Sequence, residues 1–124
     1  MYTAYTLTEE SVQRLLDTFP PKFSRVVAHH ITEKFGVKKS EPVPQNMLFA
    51  VYGYLCGDGI ETVLVSQVEG THLRPDGQHY HVTLSLDPSK GVKPEHSNDL
   101  IANNIDNYEK VPLVYLDTIG QVLY

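Results

Sequence analysis

Two short stretches of this chain repeat one chemical pattern. His30-Ile31-Thr32 and His81-Val82-Thr83 each line up a histidine, a branched apolar residue and a threonine. In an extended strand successive side chains alternate between faces. His30 and Thr32 therefore project to one side, as do His81 and Thr83, while Ile31 and Val82 point the other way into a core. Imidazole titrates near neutrality and can serve as acid or base. A hydroxyl can hold a charged oxygen by a hydrogen bond. Two such strands facing each other would bring two acid/base groups and two hydroxyls to one cleft, a set suited to cleaving a phosphodiester without a metal.

The elements that must position these residues follow from periodicity and breakers. Tyr2 to Leu7 is compatible with a short strand. Thr8 is a candidate N-cap, followed by Glu9 and Glu10, and Val12, Leu15, Leu16 and Phe19 recur at helical spacing, so residues 9 to 18 are expected to form an amphipathic helix that Pro20-Pro21 ends. Ser24 to Phe35 is strand-like and carries the first His-x-Thr. Lys38 to Pro44 is a polar loop. Met47 to Leu55 and Glu61 to Val68 flank Gly57-Asp58-Gly59 as a hairpin. Gly70 to Gln78, containing Arg74-Pro75-Asp76-Gly77, is a loop. His79 to Leu86 is the strand of the second His-x-Thr. A helix is predicted over 94 to 103. Lys110 to Leu116 and Gln121 to Tyr124 are expected to pair across Thr118-Ile119-Gly120. The sum is an α+β fold of mainly antiparallel strands with flanking helices.

Composition narrows the class. A chain of 124 residues with 41% hydrophobic and 20% charged residues is expected to fold as one domain, residues 1–124. A single cysteine, Cys56, excludes an intrachain disulfide and a Cys-rich zinc site. No stretch has the pattern of a signal peptide or the length of a membrane helix, so a cytoplasmic protein with no membrane partner is expected. The formal net charge of -5 argues against coating long nucleic acids, though not against a small phosphate ligand in a local basic pocket.

Chance alone accounts for part of the motif: six histidines, with Ser or Thr at about an eighth of positions, give roughly one His-x-[Ser/Thr] by accident. Two copies, both His-apolar-Thr and both in strand-like runs from different halves of the chain, are more informative. The second continues with apolar Leu84, whereas the first has Glu33 there. His30-Ile31-Thr32 and His81-Val82-Thr83-Leu84 resemble the paired motifs of the two-histidine (2H) phosphoesterase superfamily. The resemblance implies two small pseudo-symmetric lobes, each contributing one motif to a shared cleft. It implies a metal-independent phosphodiesterase with no cofactor, acting on a nucleotide or short RNA: a 2',3'-cyclic phosphate, a 2'-5' linkage or a cyclic (oligo)nucleotide. His30, Thr32, His81 and Thr83 would be its catalytic residues.

Tyr52 and Tyr54, two apart on one strand, are candidates to stack on a base, although a hydrophobic core explains them equally. Arg74, with Lys34, Lys90 and Lys93, is a candidate phosphate neighbour. His79 shares a face with His81 and could line the cleft; His29 and Tyr80 should face away. Two other readings compete. His79-x-His81 with nearby His72 has the form of a metal-ligand pair, as in a His-ligated metalloprotein. A non-catalytic nucleotide- or protein-binding module would also fit an acidic, tyrosine-rich domain.

Overall fold

The computed structural model describes all residues, 1–124. Its elements run β1 (Tyr2–Leu7), α1 (Glu9–Thr18), β2 (Arg25–Val26), β3 (His30–Phe35), β4 (Leu48–Gly57), β5 (Ile60–Gln67), β6 (His81–Leu86), a short 3-10 turn (Pro88–Lys90), α2 (His96–Asn104) and β7 (Glu109–Leu123). The seven strands form one sheet in the order β2-β6-β5-β4-β7-β1-β3, and every adjacent pair is antiparallel. The architecture is α+β, as composition and turn spacing predict. No helix is long and apolar enough to cross a membrane.

The alternation of each strand sorts its side chains between two layers. On one side, Leu15 of α1 packs with Ile31, Phe49, Val51, Val63, Val65, Val82 and Leu84 in the main core. Thr8 caps α1 by accepting a hydrogen bond from the Ser11 amide, and Glu9 and Glu10 favour its N-terminus. On the other side, α2 sets Ile101 against Leu55 and Leu64 in a smaller cluster. His81 and Thr83 leave the main core for this second side, because Val82 and Leu84 hold the first.

Residues 25–35 form a fork. Arg25 and Val26 pair with β6, and the amides of Val27 and Ala28 continue that ladder onto the carbonyls of Leu84 and Thr83. From His30 onward the chain pairs with β1 instead, His30 lying opposite Thr6. Ala28, at the change of partner, adopts φ +40°. That conformation strains any residue with a Cβ. The sequence suggests one strand from Ser24 to Phe35; the structure divides it, because one run of backbone cannot follow two diverging neighbours.

Two other expectations need correction. The last strand is not a hairpin: β7 is continuous over 15 residues and bridges β4 and β1. Gly120 serves close approach rather than a turn. Its amide donates to Asn46 Oδ1, and the carbonyl of Pro44 lies where a Cβ would stand. The second is β6, which begins at His81 rather than His79. His79 makes only an isolated bridge to Leu73.

Gly120→Ala should therefore destabilise the fold by at least about 2 kcal/mol, through overpacking against main-chain atoms that cannot rotate away. Urea unfolding checks this; an unchanged midpoint would show that the Pro44 segment yields freely.

Candidate active site

The fork leaves a cavity of about 280 Å³ between β3 and β6. His30, Thr32, His81 and Thr83 all line it, together with Arg74, Tyr2, Phe35, Asn98 and others. Both His-x-Thr strands thus reach one space, although 45 residues, including β4 and β5, lie between Phe35 and His81. Ile31 and Val82, each between a His and a Thr, are fully buried in the core and fix the outward turn of their neighbours.

The two imidazoles are held differently. His81 Nδ1 lies 3.0 Å from the carbonyl oxygen of His79. A carbonyl only accepts, so neutral His81 carries its proton on Nδ1 and leaves a lone pair on Nε2. His30 Nδ1 lies 3.0 Å from Nδ1 of His29, whose ring is exposed. When His29 donates in this contact, neutral His30 carries its proton on Nε2. Burial lowers the pKa of His30 to about 4, with His29 and His81 adding to the effect. Burial likewise lowers His81 to about 4; its bond to the His79 carbonyl opposes this, while Arg74 and His79 reinforce it. Both rings are neutral at pH 7 in the free protein.

Arg74 is the strongest electrostatic feature. Its residue is 3% exposed, and only Nη2 has a partner, the carboxylate of Asp76. Nε and Nη1 are buried with no hydrogen-bond partner. An unpaired buried donor costs about 1–3 kcal/mol, more when charged, so such groups call for a partner, water or an anion. The loop carrying Arg74 is ordered by a tight turn. Gly77 at φ +85° donates its amide to the Arg74 carbonyl, and the Gln78 amide caps Asp76. The guanidinium lies over the Phe35 ring, 5.2 Å from its centroid. A positive fork with two free donors beside two neutral imidazoles can hold an anion.

The threonines differ. Thr32 lines the cavity from β3. The Thr83 hydroxyl is drawn to α2, 2.8 Å from Ser97 Oγ and 3.4 Å from the Pro94 carbonyl. Glu33, which departs from the motif, is accommodated beneath the strand, where its carboxylate accepts from Thr3 and Tyr5 hydroxyls at 2.9 Å each.

Three substrate-binding candidates lie outside this cavity. Tyr54 stacks on Phe19 with ring planes 3° apart, and its hydroxyl donates to buried Glu61. Tyr52 faces the opposite side, toward Tyr108. The two tyrosines do not share a face, because β4 carries a bulge: Val51 opposes Val65 and Gly53 opposes Leu64, leaving Tyr52 as the extra residue. His79 falls outside the regular strand, so alternation does not turn it with His81. It sits instead by His72, ring centroids 5.6 Å apart. No three His, Cys, Asp or Glu side chains come together as a metal-ligand set. Lys34 and Lys90 are engaged by Glu41 and Asp58 at the surface.

Tyr2, Asn98 and Ser97 enter the site without any local signal in the sequence. Tyr2 reaches His30 through the β1–β3 pairing, with ring centroids 5.5 Å apart. Asn98 and Ser97 arrive because α2 packs over β5. No protein-family model, curated protein or solved structure matches the chain.

The low imidazole pKa values set a pH dependence. Between about 4 and the ordinary value of 6.5, the unfolded chain binds protons at His30 and His81 that the folded chain refuses. Stability is therefore highest above this window and falls as pH drops through it. Asp76 and Asp87, held below the usual carboxylate value, lose their contribution only at lower pH. Thermal unfolding from pH 7.5 to 4.5 should show a falling midpoint, and a His30→Asn/His81→Asn variant should flatten it. An equal slope in both proteins would rule out these two rings as its source.

Proposed function

We propose that the chain is a metal-independent phosphodiesterase of the two-histidine type. Its substrate would be a nucleotide or short RNA phosphodiester: a 2',3'-cyclic phosphate, a 2'-5' linkage or a cyclic (oligo)nucleotide. One observation carries the reading: both His-x-Thr strands line one cavity with a buried arginine that has two unpaired donors. The two motifs also come from opposite ends of the one sheet, the first on β3 beside β1 and the second on β6 beside β5.

In this reading Arg74 receives the nonbridging phosphate oxygens on Nε and Nη1, and Thr32 adds a hydroxyl donor. The Nε2 lone pair of His81 takes the proton of the attacking water or ribose hydroxyl. Its oxygen bonds to phosphorus as the opposite P–O bond breaks, and protonated His30 gives its proton to the departing oxygen. His81 ends protonated and His30 neutral, and exchange with solvent resets both. The bound phosphodiester charge raises the imidazole pKa values and supplies the protonated form that the free cavity disfavours. Release of Thr83 from Pro94 would free its hydroxyl for the same phosphate.

A panel of 2',3'-cyclic, 2'-5' linked and cyclic oligonucleotides tests the proposal. His30→Ala and His81→Ala should each lower kcat by about 10²–10⁴-fold on the substrate that turns over. Arg74→Met should cost on the order of 10²–10³-fold. A chelator should leave activity intact. Because kcat/KM reports the free protein, it should rise as pH falls from 8 toward 5, while kcat peaks nearer neutrality. Full activity in both alanine variants sinks the catalytic proposal, and tight binding with no turnover on any substrate leaves a binding module.

A further inference from the structure

The cavity between the histidines does not stand alone. Asn98 lines it and also lines a second cavity of about 370 Å³, bordered by Gln78, His79, Ala102 and Ile105. His79 and Ile105 in turn line a third, of about 540 Å³, with Tyr52, Ser66, His72 and Tyr108. Neighbouring cavities share walls, so the three form a row along α2. We propose that this row binds an oligonucleotide of two or more nucleosides, with the scissile phosphodiester at His30 and His81 and a flanking base at Tyr52 and Tyr108. The proposal rests on the phosphodiesterase reading and adds the length of the substrate to it.

Size is the first argument. Ligand pockets run from about 300 to 1,000 Å³. The first cavity, at about 280 Å³, falls just below that range, room for one small ligand but not for two linked nucleosides. The two beyond it supply the room that a neighbouring nucleoside needs.

Chemistry is the second argument. The third cavity is walled by two aromatic pairs: Tyr52 with Tyr108, centroids 5.7 Å apart, and His72 with His79, 5.6 Å apart. Flat rings suit the face of a base. His79 Nδ1, at the junction of the second and third cavities, is buried without a hydrogen-bond partner. It can meet a polar edge of a base. Gln78 and Asn98 add amides that both donate and accept. Beyond Arg74 no lysine or arginine borders the row, and Asp99 borders its middle. Those walls favour uncharged bases over a second phosphate.

The test compares kcat/KM for a mononucleotide 2',3'-cyclic phosphate with that for linear and cyclic di- and trinucleotides. The wild-type ratio should favour an oligonucleotide by at least about fivefold, since stacking one base is worth about 1–3 kcal/mol. Ala102→Trp fills the middle of the row from an exposed helix position, and should lower that ratio at least about fivefold. His72→Ala, at another exposed position, should lower it several-fold. Equal kcat/KM on mono- and oligonucleotides, or a ratio unmoved by Ala102→Trp, overturns the proposal while leaving the catalytic reading standing. If the wild type turns over no phosphodiester, the catalytic reading fails. Calorimetry with a phosphorothioate-linked trinucleotide then decides the row: binding lost in Ala102→Trp supports it, and no binding overturns it.

Discussion

The backbone hydrogen bonds of residues 25–35 are shared between two partners, and the candidate site depends on that division. Amides up to Ala28 bond to β6, and those from His30 onward bond within the β1 ladder. Buried backbone groups must be paired, so the stretch must follow one neighbour and then the other. The two neighbours diverge, and the space between them is the cavity. Strain at Ala28, of the order of 1–3 kcal/mol for such backbone, accompanies the change of partner. The core holds the fork open. Ile31 and Val82 bury their side chains on the far side, so neither strand can rotate to close the gap.

Burial then sets the electrostatics. Moving the imidazoles out of water favours their neutral forms, and moving Arg74 out of water leaves a permanent charge with two free donors. Guanidinium cannot escape by losing its proton, whereas imidazole can. The free cavity therefore carries one buried positive fork flanked by neutral bases, with the exposed Glu95 also on its lining. An anion entering it gains a partner without displacing an internal one. Asp76 holds only Nη2, so it orients the fork without occupying it.

Local signals in the sequence reached different depths. The capped helix at residues 9–18 was legible because propensity, cap and apolar spacing agree, and it forms over those residues. The β4–β5 hairpin was legible from the Gly57-Asp58-Gly59 turn between two apolar runs. The motif residues were legible because strict alternation holds across His30 to Thr32 and His81 to Thr83. Alternation misled where the strand was not regular. The bulge at Tyr52 parted it from Tyr54, and the irregular backbone at His79 parted it from His81. Gly120 misled for another reason, since glycine marks both turns and close contacts. Only the position of Pro44 tells the two apart.

Which faces of the strands are polar follows from residue order alone, because a period of two is a local property of extended backbone. So do the chemical types on offer: two imidazoles, two hydroxyls and a candidate arginine. That these types meet depends on the packing of the whole chain. Pairing across the sheet is non-local, and nothing near Arg74 in the chain reveals that its guanidinium is buried beside Phe35 with two donors free. Tertiary structure also placed Tyr52 and His79 outside the histidine cavity, beside Tyr108 and His72. Burial and pKa follow from the packing of distant segments, so they could be read only once β3, β6, α2 and the Arg74 turn were in place.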